Sequence, residues 1–508
     1  MNMQTNVLEY LENIVGKVPD KIAYANEKDS LTFQQVYDYA RAIGTTIIHY
    51  QYYKQPIVVY MKKHPCAISA FYGVVYSGNF YVPIDEEMPK YRIELIFQTL
   101  NPQMIICDEE TQQYVKEFDY QGQICLFHEM IQTSIDEEKI NVIRNKTLDI
   151  DPLYIVFTSG STGIPKGVVA CHRSVIDYIE NLSKVLQVSE KSVFGNQAPL
   201  YFDACLKELY PTLKFGATTY LIPKNLFMFP IQLIEFLNQY KINTICWVAS
   251  ALSLVSGFKT FDKIQPKYLH TIAFGSEVFP IKQYNEWKRV LPQARFINLY
   301  GPTEATGMSC YYEVKKEFAL DEVIPIGQPF HNTEILLLKE DNTLAHDDEI
   351  GEICIRGTAV TLGYYHNKEK TKEAFVQNPL NDAYSEIIYK TGDLAKYNEN
   401  HELIFVSRKD YQIKHMGHRI ELGEIEQHIQ MLEGITNACC IYDQEVEKIV
   451  LYYIGIKETK EVKAYLKGKL PRYMIPNVVR KLENMPLTAN GKINRHLLKE
   501  MYKESRRK

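Results

Sequence analysis

The amino-acid sequence predicts an α/β protein in two domains: a large N-terminal one of layered sheets and helices over residues 1–408, and a small α+β one over 409–508. Three observations predict it. At 508 residues the chain outgrows a single core, which stops enlarging at roughly 250–300 residues. Through about the first 400 residues, short β-rich runs alternate with stretches of helical periodicity, the pattern of layered and largely parallel sheets. At "LIFVSRKDYQIKHMGHRIELGEIEQHIQ" the character changes, and about a hundred residues follow, enough for a small domain with its boundary near Lys409 and Asp410.

Taken in order, "TFQQVYDYARAIGTTIIHY" carries apolar residues at helical spacing, and "PIVVYM" after it is a short strand-like run. "HPCAISAFYGVVYSG" is helical again, and "FYVPID" and "QMIICD" read as strands. Past the boundary, a helix is expected from Gly423 to about Leu432, strands at "NACCIYD" and "KIVLYYIGI", and a helix at "EVKAYLKGKL". There is no internal repeat and no long low-complexity linker.

The bulk chemistry excludes several classes. Apolar residues make up 46% and charged residues 23%, and the net charge of −5 gives no global reason to expect a nucleic-acid partner. No run approaches the roughly 18 apolar residues of a membrane span, and the first residues lack the basic-then-apolar order of a signal peptide. The ten cysteines stand singly apart from Cys439-Cys440 and show no C-x-x-C spacing, so they read as reduced core residues of a cytoplasmic protein rather than metal ligands.

One stretch demands chemistry. In "YIVFTSGSTGIPKGVVACHRS", Thr158, Ser159, Ser161 and Thr162 offer hydroxyls, Gly160 and Gly163 allow close approach of backbone N–H groups, and Lys166 adds a point charge. A polyphosphate suits such a loop. The spacing is not that of an ordinary P-loop, because Lys166 is followed by Gly167, Val168 and Val169.

Eight further stretches stand in order with this loop: "YSGNFYVPID", "YFDACLKELYPTL", "NLYGPTEAT", "GEICIRGTAVTLGYY", "YKTGDLAKY", "SRKDYQIKHMGHRIELGEIE", "LPRYMIP" and "PLTANGKINR". Together they resemble the AMP-forming adenylation superfamily of acyl-CoA synthetases, luciferases and the amino-acid-activating domains of nonribosomal peptide synthetases. The resemblance runs from about residue 70 to 495. "QIKHMGHRIELGEIE" and "PLTANGKINR" favour the amino-acid branch, most like its free-standing members, such as the ligases that load D-alanine onto a carrier protein. No Gly-Gly-x-Ser segment follows Arg495, so the acceptor is expected on another polypeptide.

The resemblance implies ATP and Mg2+, an aminoacyl-AMP product with release of pyrophosphate, and transfer to the phosphopantetheine thiol of a carrier protein. It implies that Thr158, Ser159, Gly160, Ser161, Thr162 and Gly163 wrap the departing phosphates, with Lys166 steadying the loop. Gly275, Ser276, Asn298, Tyr300 and Gly301 would surround the nucleotide, with the Tyr300 ring on adenine. Thr303 would bond an α-phosphate oxygen, Glu304 would ligate magnesium, and Asp393 would accept both ribose hydroxyls. Arg408 would contact ribose or phosphate, and Asp410 would be the hinge of a mobile small domain. Lys492 would bridge the substrate carboxylate and the α-phosphate, and Gly417 would line the thiol's path. Ser407 departs from the glycine usual before the arginine and would restrict the hinge.

For the amino acid, Asp203 matches the carboxylate that holds the α-ammonium, and the remaining pocket positions are Ala204, Lys207, Trp247, Ile272, Phe274, Leu299, Gly307 and Met308. Lys207 either reads an acidic or amidated side chain or pairs with Asp203 or Glu208. Trp247 and Phe274 are large and favour a small side chain, unless Gly307 opens space on another wall. D-alanine is the alternative substrate. An acyl-CoA synthetase of the same fold is the other enzyme reading, against which Asp203 argues. A non-catalytic nucleotide-binding scaffold is disfavoured by the joint presence of Lys166, Glu304, Asp393, Arg408 and Lys492.

Overall fold

The computed structural model describes residues 4–160, 163–487 and 493–507. It separates into two compact units. The first comprises Met1–Glu86, Leu100–Val156 and Gly167–Lys409, and the second Glu87–Thr99, Phe157–Lys166 and Asp410–Lys508. The main division falls between Lys409 and Asp410, and two short stretches from the first half of the chain cluster with the C-terminal residues.

A nine-stranded sheet orders its strands Gln328–Pro329, Cys310–Glu313, Arg295–Tyr300, Thr271–Gly275, Thr244–Val248, Val193–Asn196, Thr218–Leu221, Ile22–Ala25 and Ser30–Thr32. Its interior pairs are parallel, and antiparallel pairs occur only toward its two edges. A six-stranded sheet runs Gln123–Leu126, Met104–Cys107, Pro56–Tyr60, Phe80–Pro83, Pro152–Thr158 and Lys166–Cys171. The expectation of largely parallel sheets stops short of residue 400, however. The strands Thr333–Leu338, Gly351–Gly357, Phe375–Gln377, Ile387–Tyr397 and Leu403–Arg408 form a five-stranded sheet that is antiparallel throughout. The physical reason is the length of the connections. Parallel neighbours need a crossover of a dozen residues or more, whereas Tyr397 and Leu403 are joined by a tight turn.

Local chemistry fixes the helices. Before the helix Phe33–His49, Thr32 accepts from the Gln35 amide at 3.2 Å and the Gln35 side chain accepts from the Thr32 amide at 2.9 Å, a reciprocal cap. Phe33, Val36, Ala40, Ile43 and Ile47 bury one face of it. That face meets the helix Pro65–Tyr76 so closely that a Cβ on Gly73 would lie 2.5 Å from an Ile43 methyl. Sequential apolar faces of this kind build the main core, and a second core gathers Trp247, Phe274, Trp287 and Phe296 behind the nine-stranded sheet.

In the second unit the strands Gln412–His415 and His418–Glu421 form a hairpin turning through Met416 and Gly417, both at positive φ. The helix Leu422–Gln430 follows, and a three-stranded sheet joins Ile435–Asp443, Lys448–Gly455 and Val478–Lys481. Ile425, Ile429, Cys440, Leu451, Tyr453, Val462 and Leu466 make its core. Arg495 ties the start of the helix Arg495–Arg507 to the Glu426 carboxylate and the Cys440 carbonyl. All ten cysteines are free thiols, nine of them buried. Among the described residues no helix is long and apolar enough to cross a membrane.

Candidate active site

In the first unit, Tyr300 ends an inner strand of the nine-stranded sheet and Asp393 lies on the antiparallel sheet. The Tyr300 hydroxyl donates to Asp393 Oδ2 at 2.6 Å, and Arg408, directly across the ladder, pairs with Asp393 Oδ1. Burial and this carboxylate push the Tyr300 hydroxyl well above its ordinary pKa, so it stays a donor. A carboxylate has about four acceptor positions, which leaves capacity for two ribose hydroxyls. Gly301 is packed so tightly that a Cβ would lie 2.3 Å from the Gly307 carbonyl oxygen. Gly275 ends its strand, and Ser276 follows at a φ of 69°. The Asn298 amide is committed elsewhere, donating to the Pro325 carbonyl at 2.8 Å.

A second cluster is built on the turn Asp203–Cys205 and the helix Leu206–Phe215. Asp203 is buried. Burial raises its carboxyl pKa, while Thr303 and the Lys207 charge oppose the rise. Lys207 is buried too, and among the described residues no carboxylate forms an ion pair with it. The neighbouring Glu208 accepts from Asn196 Nδ2 at 3.2 Å through one oxygen, while its other oxygen is buried without a partner. Burial drives Glu208 up to about 7. Lys63, only partly buried as a whole, turns its ammonium onto the carbonyls of Asn196, Gln197 and Ile222 at 3.0, 3.1 and 3.2 Å, and desolvation there lowers it to about 7. Beside Thr303, the fully buried Glu304 accepts from the Tyr364 hydroxyl at 2.7 Å.

The other pocket positions are placed as follows. Trp247, Ile272 and Phe274 are buried in the second core; the Trp247 indole donates to the Gly195 carbonyl at 2.8 Å against Phe227, and Phe274 packs on Phe279. Ala204, Leu299 and Met308 belong to the main core or pack against it. At Gly307, a Cβ would sit 3.2 Å from the end of the Tyr178 ring, so the phenol lies beside this position.

In the second unit, the loop after Thr158 is tied to the hairpin and the following helix. The Ser159 hydroxyl donates to the Arg419 carbonyl at 2.9 Å and accepts from the Glu421 amide at 3.2 Å. The Gly160 amide donates to Glu424 Oε2 at 3.2 Å, and the other oxygen of this fully buried carboxylate pairs with Arg92. Gly160 must be glycine, since a Cβ would fall 2.0 Å from the Ile164 carbonyl oxygen, and Gly163 stands at a φ of 72°. Thr158 Oγ1 is buried without a partner among the described residues, and Lys166 opens the next strand. Asp410 begins the C-terminal part of this unit and accepts from the Gln412 amide at 3.1 Å. Ser161, Thr162 and Lys492 lie outside the described residues.

Comparison with known proteins fits this geometry to a family. The family model described as AMP-binding enzyme matches residues 11–365, and its C-terminal-domain counterpart matches 424–492. The chain belongs to the AMP-binding enzymes. It is an AMP-forming adenylating ligase. It is 31% identical to tyrocidine synthase 1 of Brevibacillus parabrevis over 97% of its own length but spans only 45% of that protein. It is 30% identical to the D-alanine–D-alanyl carrier protein ligase of Bacillus licheniformis, covering 97% of this chain and 99% of that one. The adenylation domain AlmE of Vibrio cholerae, solved with glycyl-adenosine-5'-phosphate, superposes with a TM-score of 0.84 at 20% identity over 99% of each chain.

Sequence reading missed five participating residues. Tyr364 sits inside a quoted motif and could have been noticed as a donor beside Glu304. The Arg92–Glu424 pair, Lys63 and Tyr178 carry no local signal, because their partners lie far away along the chain.

Proposed function

We propose that this ligase activates an amino acid as aminoacyl-AMP and then passes it to the phosphopantetheine thiol of a separate carrier protein. The observation that carries the reading is the buried Asp203 carboxylate with Lys207 beside it. An unpaired buried anion is costly, and the α-ammonium of an amino acid supplies the missing cation. A fatty or aryl acid brings no ammonium, leaving Asp203 only the Lys207 charge with which no ion pair is formed, which disfavours an acyl-CoA synthetase.

Chemistry on the α-phosphate requires position and charge neutralisation rather than a protein nucleophile. Thr303 would bond the α-phosphate oxygen, Asp393 and Arg408 the ribose, the Tyr300 ring the adenine, and the Thr158–Lys166 loop the departing phosphates. The buried, partnerless Thr158 hydroxyl and the Glu304 carboxylate suit phosphate and magnesium respectively. Bound there, Mg2+ would neutralise phosphate charge, with phosphate oxygens completing its coordination. Lys492 would bridge the two reacting groups, and Asp410 would serve as the hinge.

Lys207 favours an amino acid with a carboxylate or carboxamide side chain. The second reading is D-alanine, supported by the carrier-protein ligases that match along their whole length. Amino-acid-dependent ATP–pyrophosphate exchange across all L- and D-amino acids, glycine and β-alanine separates them. Exchange with aspartate, glutamate or their amides upholds the first reading and a D-alanine preference the second. Exchange with no amino acid overturns amino-acid activation.

A further inference from the structure

Tyr178 lies on the helix His172–Leu186 and is buried, with its ring packed on Phe330 at a centroid distance of 6.4 Å. Its hydroxyl has no hydrogen-bond partner among the described residues. A buried tyrosine normally finds one for its O–H. The ring end occupies the volume that a side chain at residue 307 would need: a Cβ on Gly307 would lie 3.2 Å from both Cζ and Oη, and the Gly307 φ of 97° disfavours any side chain there. Tyr178 belongs to the same core as Cys205 and Leu206, on the turn and helix that carry Asp203. The tip of a phenol therefore takes the space beside Gly307, and its hydroxyl is an unused donor in the core that carries the Asp203 turn.

We infer that Tyr178 is a side-chain-reading residue of the amino-acid pocket, donating its hydroxyl to the carboxylate or carboxamide of the bound substrate while Lys207 supplies the charge. The inference deepens the amino-acid-activating reading and rests on it. Gly307 acts by omission, since any larger residue would displace the phenol. A hydrophobic wall could not make this distinction: apolar pockets discriminate weakly between isosteres, whereas a site built to hydrogen-bond a polar group strongly rejects the analogue lacking it.

The test is ATP–pyrophosphate exchange by wild type, Tyr178→Phe and Gly307→Ala, each with the preferred polar amino acid and its apolar isostere, norvaline or leucine, and with melting temperature as the control for folding. Tyr178→Phe is expected to lower kcat/KM for the polar substrate roughly 10- to 100-fold, the effect of losing one hydrogen bond to a charged or polar partner. The apolar isostere should change by less than about twofold, and the KM for ATP should hold. Gly307→Ala, which pushes the phenol aside, should erode the same ratio. An unchanged polar-to-apolar ratio in Tyr178→Phe overturns the inference and leaves amino-acid activation standing. Wild-type exchange only with apolar or small amino acids also overturns it, and no exchange with any amino acid removes it together with the parent reading.

Discussion

The Tyr300 hydroxyl donates to Asp393 at 2.6 Å, and this bond links an inner strand of the nine-stranded sheet to the antiparallel sheet of the same unit. It holds the ring and the carboxylate in a fixed relation before any nucleotide arrives. Tyr300→Phe keeps the ring and removes the bond. Hydrogen bonds to a charged acceptor are worth about 1.5–3 kcal/mol, so the KM for ATP should rise at least roughly tenfold, with the amino-acid KM nearly unchanged. Exchange assays with each substrate varied in turn measure both, and an equal rise in the two constants would sink the nucleotide role.

Asp203 should show the opposite selectivity. Asp203→Ala removes the buried anion facing the expected ammonium and should cut kcat/KM for the amino acid by about 100-fold or more, while leaving ATP binding within about threefold. Asp203→Asn should be nearly as damaging, because the amide preserves shape but not charge. An unchanged amino-acid KM with normal turnover would contradict the proposed pocket.

How much of this was readable without coordinates depends on the range of each contact. The helix Phe33–His49 was legible because its apolar spacing and its Thr32 cap are local. So were the loop glycines, whose role is set by their own backbone. Contacts of long sequence separation were not: Tyr178 against Gly307, or Glu424 on the Gly160 amide across 264 residues. At Gly307 the sequence shows a missing side chain but not the Tyr178 ring that lies against it. The antiparallel turn of the chain after residue 328 was hidden for a related reason, because strand-like runs look alike whichever way they pair.

Glu208 predicts a pH dependence that is independent of catalysis. Burial raises its carboxyl from 4.5 to about 7 in the folded protein, so the folded state holds a proton that the unfolded state releases. Its contribution to stability is therefore full below about pH 4.5 and is lost as pH rises through about 7. The loss is on the order of 3 kcal/mol, a net effect in which the Lys207 and Lys63 charges already oppose the burial. Glu208→Gln carries no titrating proton. Melting temperatures at pH 5 and pH 7.5 should show the variant gaining on wild type as pH rises. Parallel curves would mean that Glu208 ionises normally.

Lys492 separates the two half-reactions. If it bridges the substrate carboxylate and the α-phosphate, it is needed while the acyl-phosphate bond forms and has no such duty when a thiol later attacks the carbonyl. Lys492→Ala should then nearly abolish pyrophosphate exchange yet transfer the aminoacyl group from chemically prepared adenylate to a phosphopantetheine thiol at close to the wild-type rate. Lys492→Arg keeps the charge but not the compact ammonium, and should remain poor in exchange because a planar guanidinium cannot occupy the same point between two oxyanions. Single-turnover assays of each step on the same preparation give the comparison directly. Equal loss in both steps would show that Lys492 supports the small domain's structure or the thiol's approach, and would withdraw it from the adenylation chemistry.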